Sequence, residues 1–487
     1  MNQATFSLAT MAPAMPEIVL LVLASALLLI DAFLSEAERH ITYWLTQVAL
    51  IGTAVLTGLM LATSSASVVT FNGMFVSDML SQVLKIAVLL TVAFTLMLGR
   101  TYLELRGLLK GEFLTLALFG TLGMMVMISA HNFITLFLGL ELMTLAQYSL
   151  VALQRDSVRA TEAAMKYFVL GALSSGLLLY GMSMIYGATG SLDITRVAQV
   201  LERGNASMPI LGVLGLVFVV AGMAFKLGNA PFHMWIPDVY HGAATPTTLL
   251  VGGAPKLAAF AFMMRLLATG LQSMSADWQQ MLVVLAVASM LLGNVVAIAQ
   301  TNLKRMLAYS TISHMGFLVL GILAAGETGY GASFFYVIAY TIMTLGSFGM
   351  ILLLSRAGFE AENLEDFRGL NQRSKWFAFV MLVLMFSLTG LPPTMGFFAK
   401  LFVLQAALDA GYTWLVVVAL LLSVVGAFYY LRVVKIMYMD PPSGEITFDP
   451  RADARWVVSA TAVATLVFGI LPAPLWDLCA RAITASM

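Results

Sequence analysis

Charge is scarce in this sequence. Of its 487 residues only 10% are Asp, Glu, Lys or Arg, with 25 Lys+Arg against 25 Asp+Glu; an average soluble domain carries roughly 25%. With no excess of either sign, there is no basic face to meet a nucleic acid. Cysteine is nearly missing: the lone Cys479 excludes a disulfide framework, a Cys-ligated zinc site and an iron–sulfur cluster within this chain. No HExxH pair, no GxxxxGK(S/T) loop and no strand-flanked GxGxxG occurs, so metalloprotease and P-loop nucleotide chemistry lack their residues. What is abundant is apolar side chain, 60% of the total, giving a mean hydropathy of +0.93. No soluble fold hides that much, and the chain reads as an all-α, polytopic membrane protein.

A helix needs about 20 mainly apolar residues to cross roughly 30 Å of hydrocarbon. Fourteen stretches qualify, near 17–34, 42–63, 78–99, 112–129, 132–154, 160–187, 209–240, 246–268, 277–300, 303–325, 328–354, 376–408, 411–438 and 455–477. No Lys or Arg precedes Arg39, so the first stretch is expected to be a retained helix, not a cleaved signal peptide. The odd-numbered loops hold sixteen Lys and Arg residues, while the even-numbered loops and both termini hold only Arg196, Arg203 and Arg481. The positive-inside rule then puts the odd loops in the cytoplasm and both termini on the outer side.

A charge at the centre of a membrane helix costs about 2.5–3.5 kcal/mol on insertion scales, so a deep one usually marks an ion or proton route. Glu141 in span 5, Lys226 in span 7, Lys256 in span 8 and Lys400 in span 12 lie deep, with His314 near the middle of span 10. Lys166 falls in the cytoplasmic third of span 6, where it could neutralise Glu141. Lys85 and Asp78 are expected to pair or snorkel at the outer interface, and Arg265 and Asp31 lie near helix ends. Three lysines and one carboxylate cannot all pair. Desolvation disfavours the charged form of an unpaired lysine, so such amines can exchange protons near neutral pH.

Spans 7 and 12 are interrupted. Gly228 and Pro231 break the first, and Gly390, Pro392 and Pro393 break the second. An interior proline removes a backbone donor and clashes with the carbonyl four residues back, a defect tolerated in lipid only beside protein or water. The broken helix is the fourth member of each of two five-helix blocks, spans 4–8 and 9–13. An odd number of helices inverts successive blocks, and paired interruptions of this kind point to a transport site. The expected division is 1–110, a three-helix segment; 111–270 and 271–440, inverted repeats; and 441–487, a C-terminal helix.

At these residues the sequence resembles the antiporter-like subunits of bacterial NADH:quinone oxidoreductase (respiratory complex I), which are related to Mrp cation/proton antiporters. The carrying stretches are Phe225–Gly228 with Pro231–Tyr240, Leu303–Ser310 with His314, and Gly390–Thr394 with Gly396, Phe397 and Lys400. The lysine ending the last stretch, together with Met165–Ala172, resembles the subunit N group in particular. The resemblance implies that Glu141 pairs with Lys226, that Lys166 modulates the pair, and that Lys256, His314 and Lys400 carry the proton onward and outward. It further implies a place in the bacterial inner membrane beside sister antiporter-like subunits, with FMN, iron–sulfur clusters and quinone in partner chains and no cofactor here. Two other readings are an Mrp-type antiporter subunit, for which glutamate would be expected in place of Lys400 in part of the group, and a structural spacer whose charges only fix helix register. Trp235, Asp238 and His233 belong to the resembling stretch but suggest no chemical task; Lys304 and Arg305 read as topological anchors.

Overall fold

In hydrocarbon a backbone satisfies its polar groups by pairing within helices or closed barrels, and this chain takes the helical route. The computed structural model describes residues 8–63, 66–204, 208–442 and 451–487. Thirteen described helices are long and apolar enough to cross a membrane. The first seven are Ala12–Asp31, Glu36–Thr63, Met79–Leu105, Gly111–Ile128, Phe133–Val151, Val158–Thr189 and Pro209–Leu227. Thr245–Gly270, Gln272–Ile298, Leu303–Leu323 and Gly326–Leu354 are spans 8 to 11. Thr413–Met439 and Ala452–Ile470 are spans 13 and 14. The stretch read as span 12 is split into two shorter helices, Lys375–Thr389 and Met395–Asp409, outside the thirteen.

Spans 8, 10 and 11 form the centre: their most apolar windows are 100%, 94% and 94% buried, against 33% for spans 1 and 13. Backbone contact binds spans 4 and 5, and spans 9 and 10, in pairs. A Cβ on Gly123 of span 4 would lie 2.7 Å from the Gly139 carbonyl of span 5, and one on Gly293 of span 9 would lie 2.7 Å from the Tyr309 carbonyl of span 10. Only glycine permits that approach.

Spans 5 and 10 begin in the same way. The Asn132 side chain accepts from the Ile134 N–H to cap span 5, and the Asn302 side chain accepts from the Arg305 N–H to cap span 10. Each asparagine also forms an isolated β-bridge to the segment following the next helix, Asn132 to Asp193 and Asn302 to Asn363.

Several local expectations are corrected. A small antiparallel hairpin, Val68–Thr70 with Phe75–Ser77, lies between spans 2 and 3. Span 14 stops at Ile470, and Pro472 starts a separate helix, Ala473–Thr484. Lys85 and Asp78 do not pair: the Lys85 ammonium lies 2.5 Å from Glu17 of span 1, and Asp78 binds Arg265 of span 8 at 2.7 Å. All four side chains are almost fully buried, so neither lysine nor arginine snorkels.

Candidate functional site

The interruption of span 7 is a hydrogen-bond exchange. Helix Pro209–Leu227 ends at Gly228, whose φ of 87° is left-handed, and a second short helix runs from Trp235 to Gly242. The Gly228 and Asn229 N–H groups both donate back to the Ala224 carbonyl. This turn leaves the carbonyls of Phe225, Lys226 and Leu227 without their helical donors, which would have been residues 229, 230 and 231. Side chains replace them. Trp235 Nε1 donates to the Phe225 carbonyl at 3.0 Å. Lys256 Nζ donates to the Lys226 and Leu227 carbonyls at 3.2 and 2.8 Å. Trp235 thus acquires a task the sequence did not suggest, and its ring lies under the Lys256 ammonium at 5.2 Å.

Span 12 repeats the geometry. Gly390 has a φ of 90°, and the Thr389 carbonyl before it receives Lys400 Nζ at 2.7 Å. The same ammonium donates to Ser423 Oγ of span 13 at 2.8 Å. Each break has the pattern Gly-x-x-Pro, Gly228 to Pro231 and Gly390 to Pro393, with a cis peptide before the proline that ends it. Counted from the glycine, Lys226 corresponds to Leu388, not to Lys400. By contact, the counterpart of Lys400 is Lys256, since each caps the last carbonyl before a left-handed glycine. Span 8 carries an interruption of its own that the sequence reading missed: its helix restarts at Gly253, where φ and ψ are −97° and −91°, three residues before Lys256.

Lys226 stands apart from the other two amines. It is 8% exposed and its Nζ has no hydrogen-bond partner. Glu141 lies near enough to act on it electrostatically without an ion-pair contact, and one Glu141 carboxylate oxygen is likewise buried and unpartnered. A cavity with room for about one water molecule adjoins Lys226, lined among others by Thr144, Gln147, Tyr167 and Trp235. Tyr167 stacks on Trp235 with centroids 4.7 Å apart and donates to Gln147 Oε1 at 2.8 Å.

His314 sits in a row of hydroxyls. Its Nδ1 and Nε2 are 2.7 and 3.1 Å from the hydroxyls of Tyr336 and Tyr430. Tyr430 meets Ser310, and Thr311 meets Tyr340. Tyr240, on the second half of span 7, faces Thr311 and Tyr340. A second small cavity is lined by Ser310, Thr311, Tyr340 and Thr344. These tyrosines were not picked out in the sequence, where aromatic residues on apolar helices read as packing and no separate signal marked their hydroxyls. Lys400 lies over the Phe317 ring at 4.9 Å, one turn beyond His314, and its charge reaches the imidazole.

Lys166 does not meet Glu141. Its exposed ammonium pairs with Glu162 at 2.7 Å and Asp238 at 2.9 Å, and Asp238 also binds Arg305 at 2.9 Å. Asp238 therefore ties spans 6 and 10 to the second half of span 7.

Comparison with known proteins places this arrangement. A family model described as the membrane-spanning region of NADH:quinone oxidoreductase and Mrp antiporters matches residues 130–426. The chain is 60% identical to NADH-quinone oxidoreductase subunit N of Thiobacillus denitrificans, over 99% of both chains. It is 56% identical to subunit N of Nitrosomonas europaea, over 99% of this chain and 100% of that one. The chain belongs to the NADH-quinone oxidoreductase subunit N family. A chain of respiratory complex I from Thermus thermophilus superposes with a TM-score of 0.82 at 32% identity, covering 96% of this chain and 99% of that one. A chain of the Mrp complex from Dietzia sp. shares the fold, with a TM-score of 0.81, 22% identity, and coverage of 96% and 97%.

In this subunit N relative, a charged layer closes the end that carries Asp238. Lys304 Nζ binds Glu360 at 3.0 Å and the Ala243 carbonyl at 2.9 Å, so it does more than anchor topology. Arg159 holds both oxygens of Glu362 at 3.0 and 2.9 Å. Burial would raise the Glu360 carboxyl, but the Lys304 charge and hydrogen bonds from Thr245 and Lys304 outweigh it and hold it at about 2. Among the described residues no group of three or more His, Cys, Asp or Glu side chains could hold a metal ion.

Proposed function

We propose that this proton-translocating membrane-arm subunit moves its proton along Glu141, Lys226, Lys256, His314 and Lys400. The observation that carries the reading is the Lys226 ammonium, buried without a hydrogen-bond partner beside Glu141 and a water-sized cavity. A carboxylate beside an amine favours its charged form, and withdrawal of that carboxylate releases the proton. Lys256 receives it, water and the hydroxyl row around His314 relay it, and Lys400 passes it outward. Lys166 tunes the entrance through the Asp238 carboxylate that it shares with Arg305, in place of direct contact with Glu141. The breaks at Gly228, Pro231, Pro392 and Pro393 supply the carbonyls that hold the amines.

In the same reading, residues 111–270 and 271–440 are inverted repeats flanked by 1–110 and 441–487; the matched asparagine caps and bridges support that division. The chain sits in the bacterial inner membrane with both termini periplasmic. Its partners are the other membrane-arm subunits, including antiporter-like sisters. FMN, iron–sulfur clusters and quinone reside in partner chains, and the translocase activity belongs to the assembly.

Lys226→Ala and Glu141→Ala in the assembled enzyme test this. Both are expected to lower proton pumping in liposomes together with quinone reduction linked to NADH oxidation. Wild-type values for both quantities in both variants would refute the assignment.

A further inference from the structure

Proline 231 removes one backbone donor, and the turn at Gly228 strands another. In a continuous helix the Ala230 N–H would reach the Lys226 carbonyl, but that carbonyl is taken by Lys256. The displaced Ala230 N–H donates instead to Ser289 Oγ at 2.9 Å, and the Asn229 side-chain amide donates to the same oxygen at 3.1 Å. Ser289 is fully buried and belongs to span 9, the first helix of the second five-helix block, whereas the break belongs to the first block. Along span 9 its neighbours Leu285, Ala286 and Met290 are buried apolar side chains, so no other polar group on that stretch offers an acceptor. At the second break the position corresponding to Ala230 is Pro392, which has no N–H to place, and the Gly396 N–H of the second half-helix donates to Ser387 Oγ of the first at 3.0 Å, within span 12. The first break is thus fixed from both sides: Lys256 supplies the donor for its stranded carbonyls, and Ser289 supplies the acceptor for its stranded N–H.

We propose that Ser289 is a positioning residue for the Lys256 proton site, holding the Asn229–Ala230 segment so that the Lys226 and Leu227 carbonyls stay presented to the Lys256 amine. The inference rests on the reading of Lys256 as a proton carrier. Without the Ser289 oxygen, a buried N–H in a dry setting seeks another acceptor. In a regular helix that acceptor is the Lys226 carbonyl, four residues back, which Lys256 needs. Losing Ser289 therefore acts on Lys256 through the backbone, without either side chain touching the other.

The test uses the assembled complex in liposomes, with protons pumped per NADH oxidised as the readout and the amount of intact complex as the control. Ser289→Ala is expected to lower pumping by about fivefold, the scale of one lost buried hydrogen bond. Ser289→Cys keeps the shape with a weaker acceptor and is expected to fall in between, which keeps the test alive if the alanine variant fails to assemble. Because Ser289 acts through Lys256, the double variant Ser289→Ala/Lys256→Ala should pump no worse than Lys256→Ala alone. Wild-type pumping in assembled Ser289→Cys and Ser289→Ala would overturn the inference, as would losses that multiply in the double variant. If Lys256→Ala alone pumps normally, the proton-carrier reading itself falls; if only the Ser289 variants do, the positioning role falls alone.

Discussion

The Lys256 amine donates a 2.8 Å hydrogen bond to the carbonyl of Leu227, the last residue before the first helix break. One group therefore serves both as a candidate proton carrier and as the cap of a half-helix. A cation at a helix C-terminus is favoured by the exposed carbonyls and the macrodipole, so the protonated amine and the closed break support each other.

Two substitutions separate these roles. Lys256→Arg keeps a charged donor that stays protonated, and the expected outcome is an assembled complex that does not pump. Lys256→Met removes the cap as well, leaving buried carbonyls unpaired at a cost of about 1–3 kcal/mol. It should both fail to pump and lose resistance to heat, measured by the temperature at which the intact complex disappears on native gels. Normal pumping in Lys256→Arg would show that pumping does not require this group to give up its proton.

Gly390→Ala tests the second break. A Cβ there would lie 2.8 Å from Lys400 Cδ, and the φ of 90° is strained for any L side chain, at roughly 1–2 kcal/mol. The methyl pushes the Lys400 stem off the Thr389 carbonyl. Pumping per assembled complex is expected to fall severalfold in liposomes, while Gly411→Ala, which carries the same left-handed strain at φ 86° but has open space around it, leaves pumping per assembled complex unchanged.

The charged layer around Glu360 predicts an acid sensitivity. Its carboxyl is held at about 2, below the ordinary value of 4.5. A depressed carboxyl contributes stability that is complete above the unfolded value and is lost as the pH falls from about 4.5 towards 2. Glu360→Gln should lower the melting temperature at pH 7, measured in detergent, and should flatten its decline across that acid window. A variant that declines as steeply as the parent would exclude Glu360 as the source.

Much of the site was legible because burying a charge in lipid is costly enough to be conspicuous. Glu141, Lys226, Lys256 and Lys400 stood out as charges within long apolar runs, and Gly228, Pro231, Pro392 and Pro393 marked the breaks. Pairing was less legible. Lys166 chose Glu162 and Asp238 over Glu141, and Lys85 chose Glu17 over Asp78, because long side chains select partners from helices that sequence distance does not order. The interruption at Gly253 was hidden because a single glycine within an apolar run resembles ordinary packing. Ser289 and the tyrosines around His314 were hidden for a related reason: a hydroxyl is cheap enough to bury that its presence signals nothing until its partner is seen.

The glycine contacts between spans 4 and 5, and between spans 9 and 10, have a mechanical consequence. Where two main chains touch with no side chain between them, neither helix can slide or roll without collision. Glu141 and His314 ride on these bolted pairs, so their main chains stay put as a cycle proceeds and only their side chains can move. Whatever travels must be lighter than a helix: a lysine stem swinging, a water hopping, or the short second half of span 7 tilting on its glycine.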